Sequence, residues 1–293
     1  MDSCEGRDGL GNCSVPGADG LPVQCVGPWA EDKYFFLERY VDASREARRK
    51  FSDRGNSVFI DMFSGPGRCV VRGEQREIAG GGVRVLDYRR VPFNEFHFMD
   101  ISPVNIDALK KRVGLEPHCE CGDSNDLISK LVADFLQKGY RYHFAYIDPF
   151  GPESLKFKSI ETLASLDRID LLIHFPTGTI RRNLGKWLTQ EESILDSFLG
   201  TRIWRERAKE LLSGRKVKVL LDIYSEQLMR IGFQQEELTM IESENLPALS
   251  AVSIKNPGHV ELYVLILASK HPLGQRIWSS TIKRRPDGQG TLC

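Results

Sequence analysis

The sequence has no surplus of charge: forty lysines and arginines face forty aspartates and glutamates over 293 residues, a formal net charge of zero. That balance argues against a general nucleic-acid or membrane-surface binder and leaves only a local basic patch for such partners. No apolar run approaches the roughly 18 residues of a membrane span, and the first thirty residues hold no signal-peptide core, so a cytoplasmic protein without a membrane partner is expected. Paired cysteine knuckles are missing as well. Of the seven cysteines, Cys4, Cys13, Cys25, Cys69, Cys119, Cys121 and Cys293, only Cys119 and Cys121 stand close, with a single residue between them where zinc knuckles use a wider gap. The cysteines therefore read as free thiols, no metal is expected, and a small N-terminal site through Cys4, Cys13 and Cys25 stays open. No Ser-His-Asp or Cys-His arrangement stands in a recognisable context, and there is no internal repeat.

What is present is ordinary for a soluble globular chain: 41% hydrophobic and 27% charged residues, with enough length for one large core plus extensions. Residues 1–28 carry many glycines and prolines without apolar period and read as a flexible leader. From Trp29, the stretch to residue 56 places Tyr34, Leu37, Tyr40 and Val41 at helical spacing, an N-terminal helical extension. Residues 57–285 then alternate strand-like runs ("SVFIDMF", "EFHFMD", "PHCECGD", "HFAYIDPF", "IDLLIHFP") with amphipathic helical ones. Such alternation predicts a parallel sheet covered by helices. After the helical "KVLLDIYSEQLMRIGF", the runs "ALSAVSI" and "ELYVLILAS" are joined by only Asn256-Pro257-Gly258-His259, too short for a parallel crossover, so they form an antiparallel hairpin. Residues 286–293 read as a tail.

Five βα units closed by a hairpin are similar to the Rossmann-like methyltransferases that use S-adenosylmethionine (SAM). The first strand ends in "FIDMFSGPGR", with Asp61, Phe63, Gly65 and Gly67 spaced D-x-F-x-G-x-G. Glycines at the carboxyl end of a strand let backbone N–H groups approach a ligand. A dinucleotide fingerprint would need a third glycine where Val70 stands, and a plain strand-to-helix turn is the alternative. The second strand ends on Asp100, placed to accept hydrogen bonds from a ribose, and the third on Asp123, placed to meet an adenine amino group or simply to cap the next helix. Asp61, Phe63, Gly65, Gly67, Asp100 and Asp123 are thus the expected cofactor residues.

Asp148-Pro149-Phe150-Gly151 ends the fourth strand. It resembles the [DNS]-P-P-[FYW] motif of methyltransferases that act on exocyclic amines, with the second proline missing, and more closely the D-P-F-G of tRNA guanine-N2 methyltransferases. Asp148 and the Pro149 carbonyl would accept hydrogen bonds from an amine, and Phe150 would stack on its ring. The alternative is a turn with Phe150 packed inward. Arg181 and Arg182, with Lys186, follow the fifth strand and could clamp a phosphate or carboxylate, or start a solvated helix. The runs Arg48–Lys50 and Lys283–Arg285 read as surface charge, and His143, His174 and His259 as core or turn residues.

Trp29 with Lys33, "FIDMFSGPG", "GDSND", "IDPFG", "HFPTGTIRRN" and "LYVLILASKHPLG", in that order from Trp29 to Trp278, together resemble the three-Cys-motif partner protein family. The resemblance implies a bacterial, cytoplasmic, Rossmann-like protein similar to SAM methyltransferases, accompanying a radical-SAM-like three-Cys-motif protein. The cysteines of that name belong to the companion. Where the family tends to have Gly-Ser-Pro, this chain has Gly80-Gly81-Gly82, which predicts a pliable loop. The expectation is an α/β, Rossmann-like sheet of order 3-2-1-4-5-7-6 with an N-terminal helical extension. Its expected activity is SAM-dependent N-methylation of a base-like or heteroaromatic small molecule. RNA or DNA base methylation and a non-catalytic partner subunit are the alternatives.

Overall fold

The computed structural model describes residues 13–74, 76–139, 141–209, 213–233 and 251–283, which divide into two compact units, Met1–Ser124 and Asn125–Cys293. The first unit begins with two strands, Ser14–Pro16 (β1) and Pro22–Val26 (β2), paired antiparallel. Helices Ala30–Ala43 (α1) and Arg45–Ser52 (α2) follow, and the spacing read from the sequence is the face they bury: Tyr34, Leu37, Tyr40 and Val41 are all inside. Ser57–Asp61 (β3) is buried along its whole length, as expected of a strand covered on both faces.

Next come a hairpin of Arg68–Val71 (β4) and Arg76–Ala79 (β5), a short helix Gly81–Leu86 (α3), then Glu95–Asp100 (β6), the helix Pro103–Val113 (α4) and His118–Cys121 (β7). β3, β6 and β7 are parallel in the order β7-β6-β3, packed around Phe59, Phe96 and Phe98. β2 pairs in parallel with β4, so β1-β2-β4-β5 is a separate sheet.

Part of the expected flexible leader is therefore ordered. β2 finds its partner at Cys69–Val71, some forty-five positions downstream. Its five residues, fenced by Gly20 and Gly27, are too few to show a period in the sequence. Residues 1–12 lie outside those described, as do Cys4, the tail 286–293 and Arg284–Arg285; Lys283 is exposed as read. Among the cysteines, Cys25, Cys69, Cys119 and Cys121 are free, whereas Cys13 is disulfide-bonded, against the free-thiol reading.

Helix Ser124–Gln137 (α5) starts on the last residue of the first unit, and the second unit goes on with Tyr142–Ile147 (β8), Phe157–Leu163 (α6), Ile169–Phe175 (β9) and Thr177–Thr189 (α7). Helices Ile194–Leu199 (α8), Trp204–Lys209 (α9) and Ser213–Arg230 (α10) come next, then strands Ala251–Lys255 (β10) and Glu261–Ser269 (β11) and helix Pro272–Ile282 (α11). β8 and β9 are parallel, β11 is antiparallel to β9, and β10 and β11 make the expected antiparallel hairpin. His259 sits in its turn with φ of 60°. Phe157, Phe175, Phe198 and Tyr224 form the aromatic centre of this unit.

Arg48 is not surface charge. It is 1% exposed, its Nη1 donates to the Val41 carbonyl (3.1 Å) and Ser44 Oγ (3.2 Å), and its Nη2 donates to the Val91 carbonyl (2.8 Å). The guanidinium carbon lies 4.3 Å from the Phe93 ring centroid. A helix period assigns a face but not which long side chain on the flank bends inward; the orphan carbonyls at the α1–α2 break supply the reason. Arg48→Ala should cost about 2–4 kcal/mol in urea unfolding, from unpaired carbonyls and the lost cation–π contact. The neighbouring Lys50→Ala should stay within about 0.5 kcal/mol.

Candidate functional site

In the first unit the chain leaves β3 at Asp61 and makes a tight turn through Gly65 (φ 59°) and Gly67 (φ 82°), conformations that favour glycine. Ser64 N–H donates to the Met99 carbonyl (2.8 Å) and Ser64 Oγ accepts from Met99 N–H (3.0 Å), so the turn is stitched to the end of β6. Gly65 N–H then donates to Asp100 Oδ2 at 2.9 Å. The other oxygen, Oδ1, accepts from Ser102 N–H (2.8 Å) and Asn105 Nδ2 (3.0 Å). Three donors on a carboxylate only 6% exposed leave about one of its four lone-pair positions for a further partner, fewer than two ribose hydroxyls would use.

Asp61 is more enclosed still. Its Oδ1 accepts from Phe63 N–H (3.1 Å), and a Cβ on Gly82 would lie 2.5 Å from its Oδ2 and 2.7 Å from the Phe98 ring. Gly82 is therefore glycine because α3 presses its backbone onto Asp61, which corrects the expectation of a pliable Gly80–Gly82 loop. Gly67 has a similar packing role, since its Cβ would meet Leu109 at 2.7 Å. Gly65 differs: a Cβ there would approach only Gln24 Oε1, at 3.0 Å, the far end of a flexible side chain. Gly65 thus has more room for a side chain than Gly67 or Gly82, although it is itself buried and its N–H is taken by Asp100. Phe63, just before Gly65, and Asp123, just after β7, are both half-buried, and the Ser124 hydroxyl donates to the Met62 carbonyl.

The leader strand, silent in the sequence, belongs to this cluster. Arg112 on α4, with a side chain 7% exposed, donates to both oxygens of Asp19 (2.9 and 2.8 Å) and to the carbonyls of Pro22 (2.8 Å) and Pro66 (2.6 Å). One guanidinium fastens the β1–β2 loop to the glycine turn. It also holds the Asp19 carboxyl well below the usual carboxylate range.

In the second unit Asp148 follows β8. Its Oδ1 lies 2.5 Å from His174 Nδ1, and its Oδ2 accepts from the Tyr146 hydroxyl at 3.1 Å. His174 is buried, and its ring lies 4.0 Å from that of Tyr263. Pro149 is buried, whereas Phe150 is 50% exposed, so the ring is presented to solvent and is not packed inward. His174, Tyr146 and Tyr263 were not legible as site residues. The signal was register: Ile147 pairs with Ile173 and Leu265 with His174, which sets Asp148, His174 and Tyr263 side by side on three strands. His143 is a buried core residue beside Phe135, as read.

Arg181 does not stand open for an anion. Its Nη1 donates to the Glu261 carbonyl (3.2 Å) and its Nη2 lies 3.6 Å from Glu261 Oε1. Arg182 is exposed and donates to Thr179 Oγ1 (3.2 Å), nearer to the solvated-helix reading. Burial pushes the Cys25 and Cys119 thiols up, which makes them poorer metal ligands than exposed cysteines.

No family model and no curated protein matches the sequence. Among solved structures, Trm1 from Pyrococcus horikoshii, in complex with S-adenosyl-L-methionine, aligns over 92% of this chain at 14% identity and a TM-score of 0.40; the chain spans 64% of it, less than two thirds. Protein LPL1258 from Legionella pneumophila aligns over 90% of this chain and 95% of its own, at 9% identity and a TM-score of 0.46. A SAM-dependent methyltransferase from Anabaena variabilis aligns over 83% and 94%, at 11% and 0.35. At these identities and TM-scores the alignments bear on neither substrate nor activity.

Asp100→Ala removes three hydrogen bonds at once and leaves the Gly65 N–H buried without a partner. Urea unfolding should show a loss of about 2–3 kcal/mol. Asp100→Asn keeps an acceptor but turns a donor toward one of the amides, and should fall between Asp100→Ala and the parent.

Proposed function

We propose that the chain is a SAM-dependent N-methyltransferase acting on a base-like or heteroaromatic acceptor. The observation that supports this most is the glycine turn at the carboxyl end of β3, with room beside Gly65 and Asp100 behind it. Ligands of open α/β sheets bind beyond such strand ends. The turn fits the cofactor in kind: room beside Gly65, one remaining lone pair on Asp100, and a half-buried Asp123. Asp61 and Gly67 serve the shape of the turn from within, and Phe63 flanks it.

SAM would supply an electrophilic methyl group on a sulfonium. Asp148, Pro149 and Phe150 are the proposed acceptor residues. The exposed Phe150 ring stacks on a flat acceptor, and Asp148 accepts a hydrogen bond from its amine in place of the Tyr146 hydroxyl. As the amine nitrogen gains the methyl it must shed a proton, and the Asp148 carboxylate is the group to take it. His174, donating through Nδ1 to Oδ1, fixes the carboxylate's direction.

A second reading is a non-catalytic subunit that accompanies a three-Cys-motif protein, as the sequence resemblance implies. The observation favouring it is that both Asp148 oxygens already have partners inside the fold. Nucleic-acid methylation ranks below both, since the net charge is zero and Arg181 is engaged with Glu261.

Calorimetric titration with SAM, and with its demethylated product, separates the readings. Binding is expected, and Gly65→Ala should weaken it at least about tenfold, or about 1.4 kcal/mol, beyond the backbone strain that the left-handed φ of 59° imposes, which melts without SAM report separately. Once an acceptor is found, Asp148→Ala should lower turnover about 100-fold or more with little change in SAM affinity. Phe150→Leu should mainly raise the acceptor KM. An absence of binding at millimolar cofactor would remove the methyltransferase reading and leave the partner subunit.

A further inference from the structure

Three side chains in the first unit, remote from the glycine turn, carry metal-ligand chemistry. Glu95 opens β6, His97 follows two residues later on the same face, and His118 opens β7 as the direct register partner of His97. One ligand atom from each of the three lies within 4.8 Å of the others. Glu95 Oε1 and His97 Nε2 are 2.8 Å apart, and the two imidazole rings are stacked at 4.7 Å with 17° between their planes. His97 is 7% and Glu95 16% exposed at the side chain, while His118 is open to solvent.

We propose that Glu95, His97 and His118 form a site for a borderline divalent metal ion, zinc foremost. Two imidazole nitrogens and one carboxylate oxygen are a donor set that zinc takes readily, with a fourth tetrahedral position left to water. Ligands about 2.0–2.2 Å from a shared ion stand roughly 3.2–3.5 Å apart. Glu95 and His97 are already closer than that, so the ion replaces the shared proton between them. The rest of the approach falls to His118, whose exposed ring can rotate in, and whose side is the way in for the ion.

The location says what the ion does. The three residues stand at the amino ends of β6 and β7, with Glu95 roughly 16 Å along the strand from Asp100, so this site is separate from the one proposed for SAM. β7 is the four-residue end strand and pairs here only through β6. A metal bridging His97 and His118 pins that short strand in register, and binding only the folded chain raises its stability.

The test uses the full-length protein with the Cys13 disulfide intact, stripped of metal by chelator and titrated calorimetrically with zinc chloride. One ion should bind per chain, and the melting temperature should rise with zinc. His118→Ala, a change at an exposed position, should weaken binding at least about 100-fold, the upper end of what losing even an outer-shell partner costs. It should also abolish the zinc-dependent rise in melting temperature. The double change Cys119→Ser and Cys121→Ser should leave both readouts as they are, and cobalt should bind without a sulfur charge-transfer band. No saturable zinc binding would overturn the proposal. So would binding that survives His118→Ala or disappears with the two cysteines.

Discussion

The hydrogen bond from Gly65 N–H to Asp100 Oδ2 is the constraint on which the first unit's glycine turn depends. Gly65 aims its N–H back at β6 from a left-handed backbone, and the Asp100 carboxylate, 6% exposed, is satisfied by three donors. From that bond the order spreads. Ser102 and Asn105 tie the same carboxylate to the start of α4, and Arg112 at the far end of α4 reaches Pro66 and the β1–β2 loop. Strand, turn, helix and N-terminal hairpin are one hydrogen-bonded body, so a ligand at the turn meets a backbone that is already set.

The second unit solves a related problem with side chains. Asp148 sits between a buried imidazole and a phenol, and the Tyr263 ring lies against the imidazole. Such a carboxylate cannot swing freely, whereas Phe150, two residues on, is held out in solvent by the buried Pro149. An acid of fixed direction beside an exposed ring suits a flat, polar-edged partner. A ligand donating to Oδ2 would compete there with the Tyr146 hydroxyl, a penalty that an apolar one would have no hydrogen bond to offset.

Charge is spent locally throughout. Arg48 caps a helix break, Arg112 clasps a loop, and Arg181 leans on Glu261. Of the Arg48–Lys50 run only Arg48 departs from the surface reading; Arg49 and Lys50 are exposed, as is Lys283.

The sequence by itself determined the elements with local period: α1 through Tyr34, Leu37, Tyr40 and Val41, the alternating strands, the hairpin forced by a four-residue link, and the glycine turn with acids at three strand ends. Those follow from sterics and from side-chain spacing within a few residues, which neighbours in the chain fix alone. Only the tertiary structure decided that a glycine-rich leader supplies β2, that the Gly67 turn runs into the β4–β5 hairpin before α3, and that Gly82 is packed against Asp61. Only it set His174 beside Asp148 and His118 beside His97. The placements of β2, His174 and His118 rest on register between strands apart in sequence, and a shift of one residue would turn His174 and His118 to the opposite face.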